Sequence, residues 1–479
     1  MFADRANIPV SKIREIFKVL PHIKAQREKE DPKNPLIDLS IGQPHIAPNP
    51  VVMKQLNDMK ANKTSLGYTS AQGEPETLEA IIMLYKKYYP GVQYKKTETM
   101  ATMGGSGALS NIFSILARED NVFLTFEPFF SAYTSQVEIW GSTLKKIPTK
   151  ENNFRPTAEG LKQALKAFPN ARALIMNYPN NPSGVSLTLQ EAIELAKVLE
   201  EHLHTHPNFD IIIDDVYRDF NFSGEHVTIL DIAPHLKDNC VVINSGAKGL
   251  LGAPGERVGM VAAREDLIRR MVAIQTSSIS SVPHRTQAAL RYAVENDLKN
   301  PNNDWLAHAR IEYSTNVQTA CKEFKNQGFT LSQPDGAFYL LVSAKNLIGK
   351  KNPYTLAEIK NDMDIANYFL HTAGVATVPG SGFGIDSTEG YLRISCAKEN
   401  HLLIEAAIRM GKAAQLILNP ELHLVSQLNH DINRYAPAVK MTGEGAKLFS
   451  GKVAMWSFAN QGTGSVQHND VRPNNIYRS

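Results

Sequence analysis

The sequence predicts an α/β protein: a mostly parallel sheet covered by helices, followed by a smaller α+β domain. Two observations carry this reading. Between about residues 100 and 263, short apolar runs alternate with amphipathic stretches of helical length, the pattern of strands joined by crossover helices. After about residue 305 the alternation stops, and a long helical stretch precedes three short apolar runs and a closing helix.

Taken in order, residues 11–30 read as an amphipathic helix dense with charge, and "LIDLSIGQP" (36–44) as a short strand entering a turn. Strands follow at "NVFLTF" (121–126), "TLKKI" (143–147), "ARALIMN" (171–177), "DIIIDDV" (210–216), "CVVINS" (240–245) and "RVGMVAA" (257–263). Helices are expected at 107–120, 157–168 and 187–204. In the last, Leu189, Ile193, Ala196, Leu199 and Leu203 repeat at helical spacing. A long helix is expected over 305–327, strands over 336–343, 374–380 and 391–397, and a final helix over 399–418. The tail beyond 420 is polar and aperiodic. It reads as a loosely structured extension, in which Met455, Trp456 and Phe458 are the residues able to dock.

Bulk properties exclude several classes. A chain of 479 residues suggests two or three domains at roughly 100–200 residues each. Its 51 basic and 48 acidic residues nearly cancel, which argues against a nucleic-acid surface. Cys240, Cys321 and Cys396 are too few and too scattered for a disulfide framework or a cysteine-based zinc site, and no metal is expected. They fit a reducing compartment. The charged N-terminus lacks the apolar core of a signal peptide, and no run approaches the roughly 18 apolar residues of a membrane span. The expectation is a soluble cytoplasmic protein without nucleic-acid or membrane partners.

Ligands of open α/β sheets bind beyond the carboxyl ends of the strands, so polar residues there are the candidates. Lys248 follows "CVVINS". A lysine is ordinarily solvated, but one partly desolvated among positive charges loses its proton readily and can form a Schiff base. "MGGSGAL" (103–109) stands before a helix, where backbone N–H groups can meet an anion. Ser106 and Ser245 add hydroxyls, and Arg257, nine residues after Lys248, can grip a phosphate through two hydrogen bonds. Asp214 and Tyr217 end "FDIIIDDVY"; the aspartate could be a simple cap or the partner of a protonated ring nitrogen. Asn181 in "NYPNNPSG" is adequate as a turn residue and is also placed to bond a ring oxygen. Phe130 in "EPFFSAY" can serve the core or stack on a flat ligand.

Over about residues 10–418 these features resemble the fold-type-I pyridoxal-phosphate enzymes, specifically the class I/II aminotransferases. "NYPNNPSG", "DDVY", "SGAKGLLGAPGERVG" and "YLRISCA" occur in that family's order. The resemblance implies a sheet of the seven-stranded type in a large cofactor domain at 51–304. It makes 1–50 an arm and part of the small domain, 305–420 the remaining small domain, and 421–479 a polar extension without a family counterpart. It implies that Lys248 joins the aldehyde of pyridoxal 5′-phosphate and then acts as the general base, and that Asp214 keeps the ring nitrogen protonated. Tyr217 and Asn181 would contact the ring hydroxyl, and Phe130 would stack on the ring. Gly105, Ser106, Gly107, Ser245 and Arg257 would bind the phosphate. Arg393 would clamp the substrate α-carboxylate, with Gly42 lining that end. Tyr68 would reach the phosphate of a neighbouring subunit, which implies a homodimer.

The implied reaction moves an amino group between an L-amino acid and a 2-oxo acid. The alternative is another reaction on the same cofactor: a β-lyase, a decarboxylase or a cyclising synthase. A sensor with an added DNA-binding module and an inactive scaffold are the non-enzymatic rivals. Neither suits a resemblance beginning near residue 10 with Lys248, Asp214, Arg257 and Arg393 intact. The lysine-to-arginine spacing is one residue longer than in most relatives, a form shared with enzymes similar to alanine aminotransferase. Ser183 replaces the usual threonine, and Asp215 a frequent glutamate. The candidate pocket residues His45, Tyr133 and Ser114 do not spell out a second carboxylate site, so the substrate side chain stays open.

Overall fold

Ile211, Ile212 and Ile213 show how the sheet is covered. Ile211 and Ile213 pack into one apolar cluster and Ile212 into another, because successive strand residues face opposite sides. Burial on both faces is why these strands read as unbroken apolar runs rather than as alternating ones. The computed structural model describes residues 12–61, 67–300, 304–419 and 421, and those up to Leu418 belong to one unit. Residues 420 and 422–479, with Met455, Trp456 and Phe458, lie outside the described part.

A short strand β1 (Ile37–Asp38) precedes the main sheet. That sheet contains β2 (Thr99–Met103), β3 (Val122–Phe126), β4 (Thr143–Ile147), β5 (Ala171–Met176), β6 (Asp210–Asp214), β7 (Cys240–Asn244) and β8 (Val258–Ala262). The seven strands lie in the order β2-β8-β7-β6-β5-β3-β4. Among them only β8 is antiparallel to its neighbours, β2 and β7. Helices Gly104–Leu116 and Glu265–Ile279 cover one face. Helices Pro75–Tyr88, Leu189–Thr205 and His284–Lys299 cover the other. The start of Leu189–Thr205 is fixed by a capping box. The Thr188 hydroxyl oxygen accepts from the Glu191 N–H, and the Glu191 carboxylate accepts from the Thr188 N–H.

The direction of β8 decides where the site forms. Since β8 runs against its neighbours, its first residues lie at the same edge as the carboxyl ends of β2, β6 and β7. Arg257 therefore lies beside Gly104 and shares that edge with Asp214 and Lys248 although it precedes a strand.

The remaining strands are β9 (Thr330–Leu331), β10 (Tyr339–Ser343), β11 (Val375–Ala376), β12 (Val378–Pro379) and β13 (Tyr391–Ser395). β12, β13, β10 and β9 form an antiparallel sheet, and β1 pairs with β11 in parallel. Helices Asp304–Asn326, Asp362–Thr372 and Asn400–Leu418 contribute to the apolar cluster around this sheet.

The structure differs from the sequence reading in places. β2 was not expected, because "TMATM" has few β-branched residues. The run 374–380 splits into β11 and β12, which join different sheets. The helix expected from residue 107 begins at Gly104 and ends at Leu116. No helix among the described residues is long and apolar enough to cross a membrane.

Candidate active site

The edge defined by β2, β6, β7 and β8 opens into a cavity of about 600 Å³. Gly104, Gly105, Ser106, Ser245 and Arg257 line one end, Asp214, Asn181, Phe130 and Tyr217 the middle, and Gly42, Tyr339 and Arg393 the other end, with Lys248 among them. A groove of about 550 Å³ near Tyr354 and His371 has neither lysine nor arginine in its lining, so it offers no comparable chemistry.

Lys248 enters just past β7. Its Nζ donates to the Gly42 carbonyl oxygen at 2.6 Å and lies 5.8 Å from the centre of the Phe338 ring. Burial, then the charges of Arg393 and Arg257, pull its pKa down to about 8. Gly42 is required beneath it, because a Cβ there would collide with the Tyr339 hydroxyl.

Asp214 ends β6 and is buried. The Tyr133 hydroxyl donates to its Oδ2 at 2.5 Å, while Oδ1 is buried without a partner. Burial raises the carboxyl pKa to about 7; the Tyr133 hydrogen bond opposes the rise and the charge of Asp215 adds to it. Asn177 donates to the Asp214 carbonyl oxygen at 2.8 Å and fixes the strand end. Asp215 belongs to another network. It accepts from Tyr89 at 2.5 Å and Arg218 at 2.8 Å, and His226 Nε2 lies 2.7 Å from its Oδ1. Burial alone would raise its pKa, but His226 and Arg218 outweigh burial and hold it below the usual carboxylate range.

Arg393 comes from β13 and is buried. Its Nη1 donates to Asn181 Oδ1 at 3.1 Å and its Nη2 to the Ser40 carbonyl oxygen at 2.5 Å. Its guanidinium lies 4.8 Å from the centre of the Tyr339 ring, and its Nε is buried without a partner. Tyr339 and Tyr217 share a hydrogen bond of 2.8 Å between their hydroxyls. Phe130 meets Tyr133 edge-on at 5.7 Å.

At the opposite end, Gly104 has φ +70°, and a Cβ there would approach Arg257 Nη2 to 2.9 Å. Arg257 itself adopts φ +54°. Its Nη1 donates to the Pro254 carbonyl oxygen at 3.3 Å. The Ser245 hydroxyl donates to the Val258 carbonyl oxygen at 2.6 Å, tying the end of β7 to the start of β8. Gly105, Ser106 and Gly107 occupy the first turn of helix Gly104–Leu116, where backbone N–H groups lack helical acceptors.

Gly42, Gly105, Ser106, Phe130, Asn181, Asp214, Tyr217, Ser245, Lys248, Arg257 and Arg393 thus line one cavity. Gly107 and Tyr68 do not line it, and Tyr68 is 95% exposed in this chain. His45 lies 3.5 Å from Glu312, and the Ser114 hydroxyl donates to the Asn111 carbonyl oxygen; neither lines the cavity. Tyr133 supports Asp214 and does not line the cavity. Tyr339, Gly104, Ser40, Phe17 and Gln136 line the cavity and were not singled out from sequence. Gly104 fell within the glycine cluster "MGGSGAL", and Tyr339 had a usable signal as the first polar tip in "GAFYLLVS".

The residues present fit pyridoxal phosphate. Asp214 Oδ1 is an unpartnered acceptor for a ring N–H. Lys248 supplies the amine, and Arg257 with the helix N-terminus supplies anion donors at the far end. Arg393 Nε remains free to meet a carboxylate.

Comparisons with known proteins agree. The profile of the family described as "Aminotransferase class I and II" matches residues 34–409. The aspartate aminotransferase of Pyrococcus horikoshii is 29% identical over 413 residues, covering 85% of this chain and 95% of that protein. A probable aspartate/prephenate aminotransferase of Rickettsia felis is 30% identical over 383 residues, covering 79% and 89%. The crystal structure of the aspartate aminotransferase from Rhizobium meliloti superposes with a TM-score of 0.77 at 26% identity, covering 87% of this chain and 99% of that one. With its mostly parallel seven-stranded sheet and its lysine-bearing cavity, this chain belongs to the class I and II aminotransferases, which use pyridoxal 5′-phosphate to move an amino group between an amino acid and a 2-oxo acid.

Proposed function

We propose that Lys248 is the reactive amine of this aminotransferase and that the residues around it divide the remaining work. The observation that carries this is the state of Lys248: an enclosed amine, held by the Gly42 carbonyl, with its pKa drawn to about 8 beside two arginines. The bound cofactor supplies an aldehyde that takes up the amino group and a ring that withdraws electron density from the substrate Cα. Lys248 Nζ, whose pKa burial and the neighbouring arginines draw down to about 8, would remove the Cα proton. Arg393 holds the α-carboxylate, with Asn181 and the Ser40 carbonyl fixing the plane of its guanidinium.

Asp214 would offer its unpartnered Oδ1 to the ring N–H, while Tyr133 steadies Oδ2. Asp214, raised by burial, would be held ionised by a cationic partner at that position. Tyr217 and Asn181 would serve the ring hydroxyl, and Phe130 would cover the ring face. Arg257, Ser245, Ser106 and the N–H of Gly105 would hold the phosphate from the cavity wall, and Gly107, later in the same helical turn and outside the lining, would act only through the helix N-terminus. We assign the cofactor to residues 51–304, and the substrate end to 1–50 with 305–420. The exposure of Tyr68 supports its reaching the site of a second copy in a homodimer. The thiols of Cys240, Cys321 and Cys396 are free, which supports a reducing, cytoplasmic setting.

An acidic substrate side chain of the kind in the relatives' names finds no free cation in this chain's described lining. The cations lining the cavity among the described residues are Lys248, Arg257 and Arg393, and each already has a role. The test of this reading is Lys248→Ala. The variant is expected to fold and to bind the cofactor without releasing a 2-oxo acid from any amino acid. Turnover at the wild-type rate would refute it.

A further inference from the structure

Tyr339, the first residue of β10, stands where three parts of the site meet. Its hydroxyl lies 2.8 Å from the hydroxyl of Tyr217. Its ring covers the Arg393 guanidinium at 4.8 Å, and Phe383 lies 4.9 Å from the same guanidinium. Its hydroxyl also rests on Gly42, where a Cβ would collide with it, and the Gly42 carbonyl holds Lys248. Both tyrosines are buried. A hydroxyl bonded to another hydroxyl can give its proton or take one, and here the cation decides. Arg393 lies against the Tyr339 ring, where it stabilises negative charge gathering on that oxygen. Burial raises the pKa of Tyr339, and Arg393 is the strongest influence opposing the rise. Burial also raises Tyr217, and there Tyr339 adds to the rise. Tyr339 is therefore the better donor of the two, which leaves the Tyr217 proton for an acceptor in the cavity that both residues line.

We propose that Tyr339 is a positioning residue with two contacts: its hydroxyl donates to the Tyr217 oxygen and so aims the Tyr217 proton at the cofactor's ring oxygen, while its ring face holds Arg393 in place. In a chain of hydroxyls each bond polarises the next, so Tyr217 also becomes the stronger donor. One side chain thereby ties the ring-hydroxyl end of the site to the end that receives the α-carboxylate. Glycine at position 42 fits this arrangement, because it lets the Tyr339 hydroxyl pass the segment that holds Lys248. The charged groups facing the pair are Arg393, Asp214 and Lys248, whose Nζ lies 5.9 Å from the centre of the Tyr217 ring. The proposal rests on the roles given above to Tyr217 and Arg393.

The two contacts separate by substitution. Tyr339→Phe keeps the ring and removes the hydroxyl, and Tyr339→Leu removes both. Wild type, Tyr339→Phe, Tyr217→Phe and the double Phe variant are loaded with pyridoxal phosphate, and the absorbance of the bound cofactor is titrated with pH. A hydrogen bond to the ring oxygen draws charge from it and weakens its hold on the proton shared with the lysine nitrogen, so a weaker donor raises the midpoint. Tyr217→Phe is expected to raise the midpoint by about one unit and Tyr339→Phe by about half a unit. The double variant is expected to match Tyr217→Phe, because Tyr339 acts on the cofactor through Tyr217. On the plateau of each pH profile, KM for alanine is expected to stay within about twofold of wild type in Tyr339→Phe and to rise about fivefold in Tyr339→Leu, which uncovers Arg393. Melting temperatures report that each fold persists. An unmoved midpoint in Tyr339→Phe overturns the proposal, as does an equal shift with and without the Tyr217 hydroxyl. Should Tyr339→Leu fail to fold, a KM raised about fivefold already in Tyr339→Phe counts against the ring contact, and a KM held within twofold supports it. If Tyr217→Phe leaves the midpoint unmoved, the assignment of Tyr217 fails first and the proposal falls with it.

Discussion

Asp214→Asn separates what a buried carboxyl does to the stability of the cofactor-free protein from what it does in catalysis. Burial lifts the Asp214 pKa from 3.8 to about 7. At about 1.36 kcal/mol per unit, a shift of about 3 units corresponds to about 4 kcal/mol. The sign follows from linkage. Between about pH 4 and pH 7 the folded protein keeps a proton that the unfolded chain has released. The stability from this group is therefore full below about pH 4, falls as pH rises, and is gone above about pH 7. Asparagine carries no titrating proton, so the variant lacks this slope. Urea unfolding of both cofactor-free proteins at several pH values across that window reads the difference directly, since the other titrating groups are common to both. The variant is expected to gain about 4 kcal/mol relative to wild type across the window. Parallel stability profiles would refute the assignment of a strained, neutral carboxyl at Asp214. With cofactor bound the effect reverses: losing the charge opposite the ring nitrogen is expected to lower kcat by about 10²–10³.

Other predictions concern the two ends of the site. Arg393→Ala is expected to raise KM for amino acids by about 100-fold while changing cofactor affinity far less, because a charge-assisted bidentate pair is lost only at the substrate end; steady-state kinetics and cofactor titration check this, and an unchanged KM removes Arg393 from the role. If Tyr68 serves the neighbouring site, inactive Lys248→Ala and weakened Tyr68→Ala proteins are expected to regain activity when unfolded together and reassembled. The mixed dimer then holds one intact site, and no gain over the parent proteins counts against the shared site.

How much of this was legible depended on how local each signal was. Lys248, Asp214 and Asn181 each follow an apolar strand, so the carboxyl-edge rule found them from the sequence alone. Arg257 needed more, since only the reversed direction of β8 explains why a residue before a strand joins the others. The pairing of β1 with β11 brings Ser40 and Gly42 to Arg393 and Lys248; the family resemblance placed Gly42 at that end, whereas the local pattern around residue 40 does not show the pairing. Tyr133 was weighed as a substrate-side residue; a hydroxyl cannot show from its neighbours in the chain that it points at Asp214.

The most direct test of the central claim is borohydride reduction of the cofactor-loaded protein, followed by proteolysis and mass mapping. The account predicts one stoichiometric pyridoxyl adduct, on the ε-nitrogen of Lys248. A label on another lysine, or none on a protein that turns over amino acids, would contradict it.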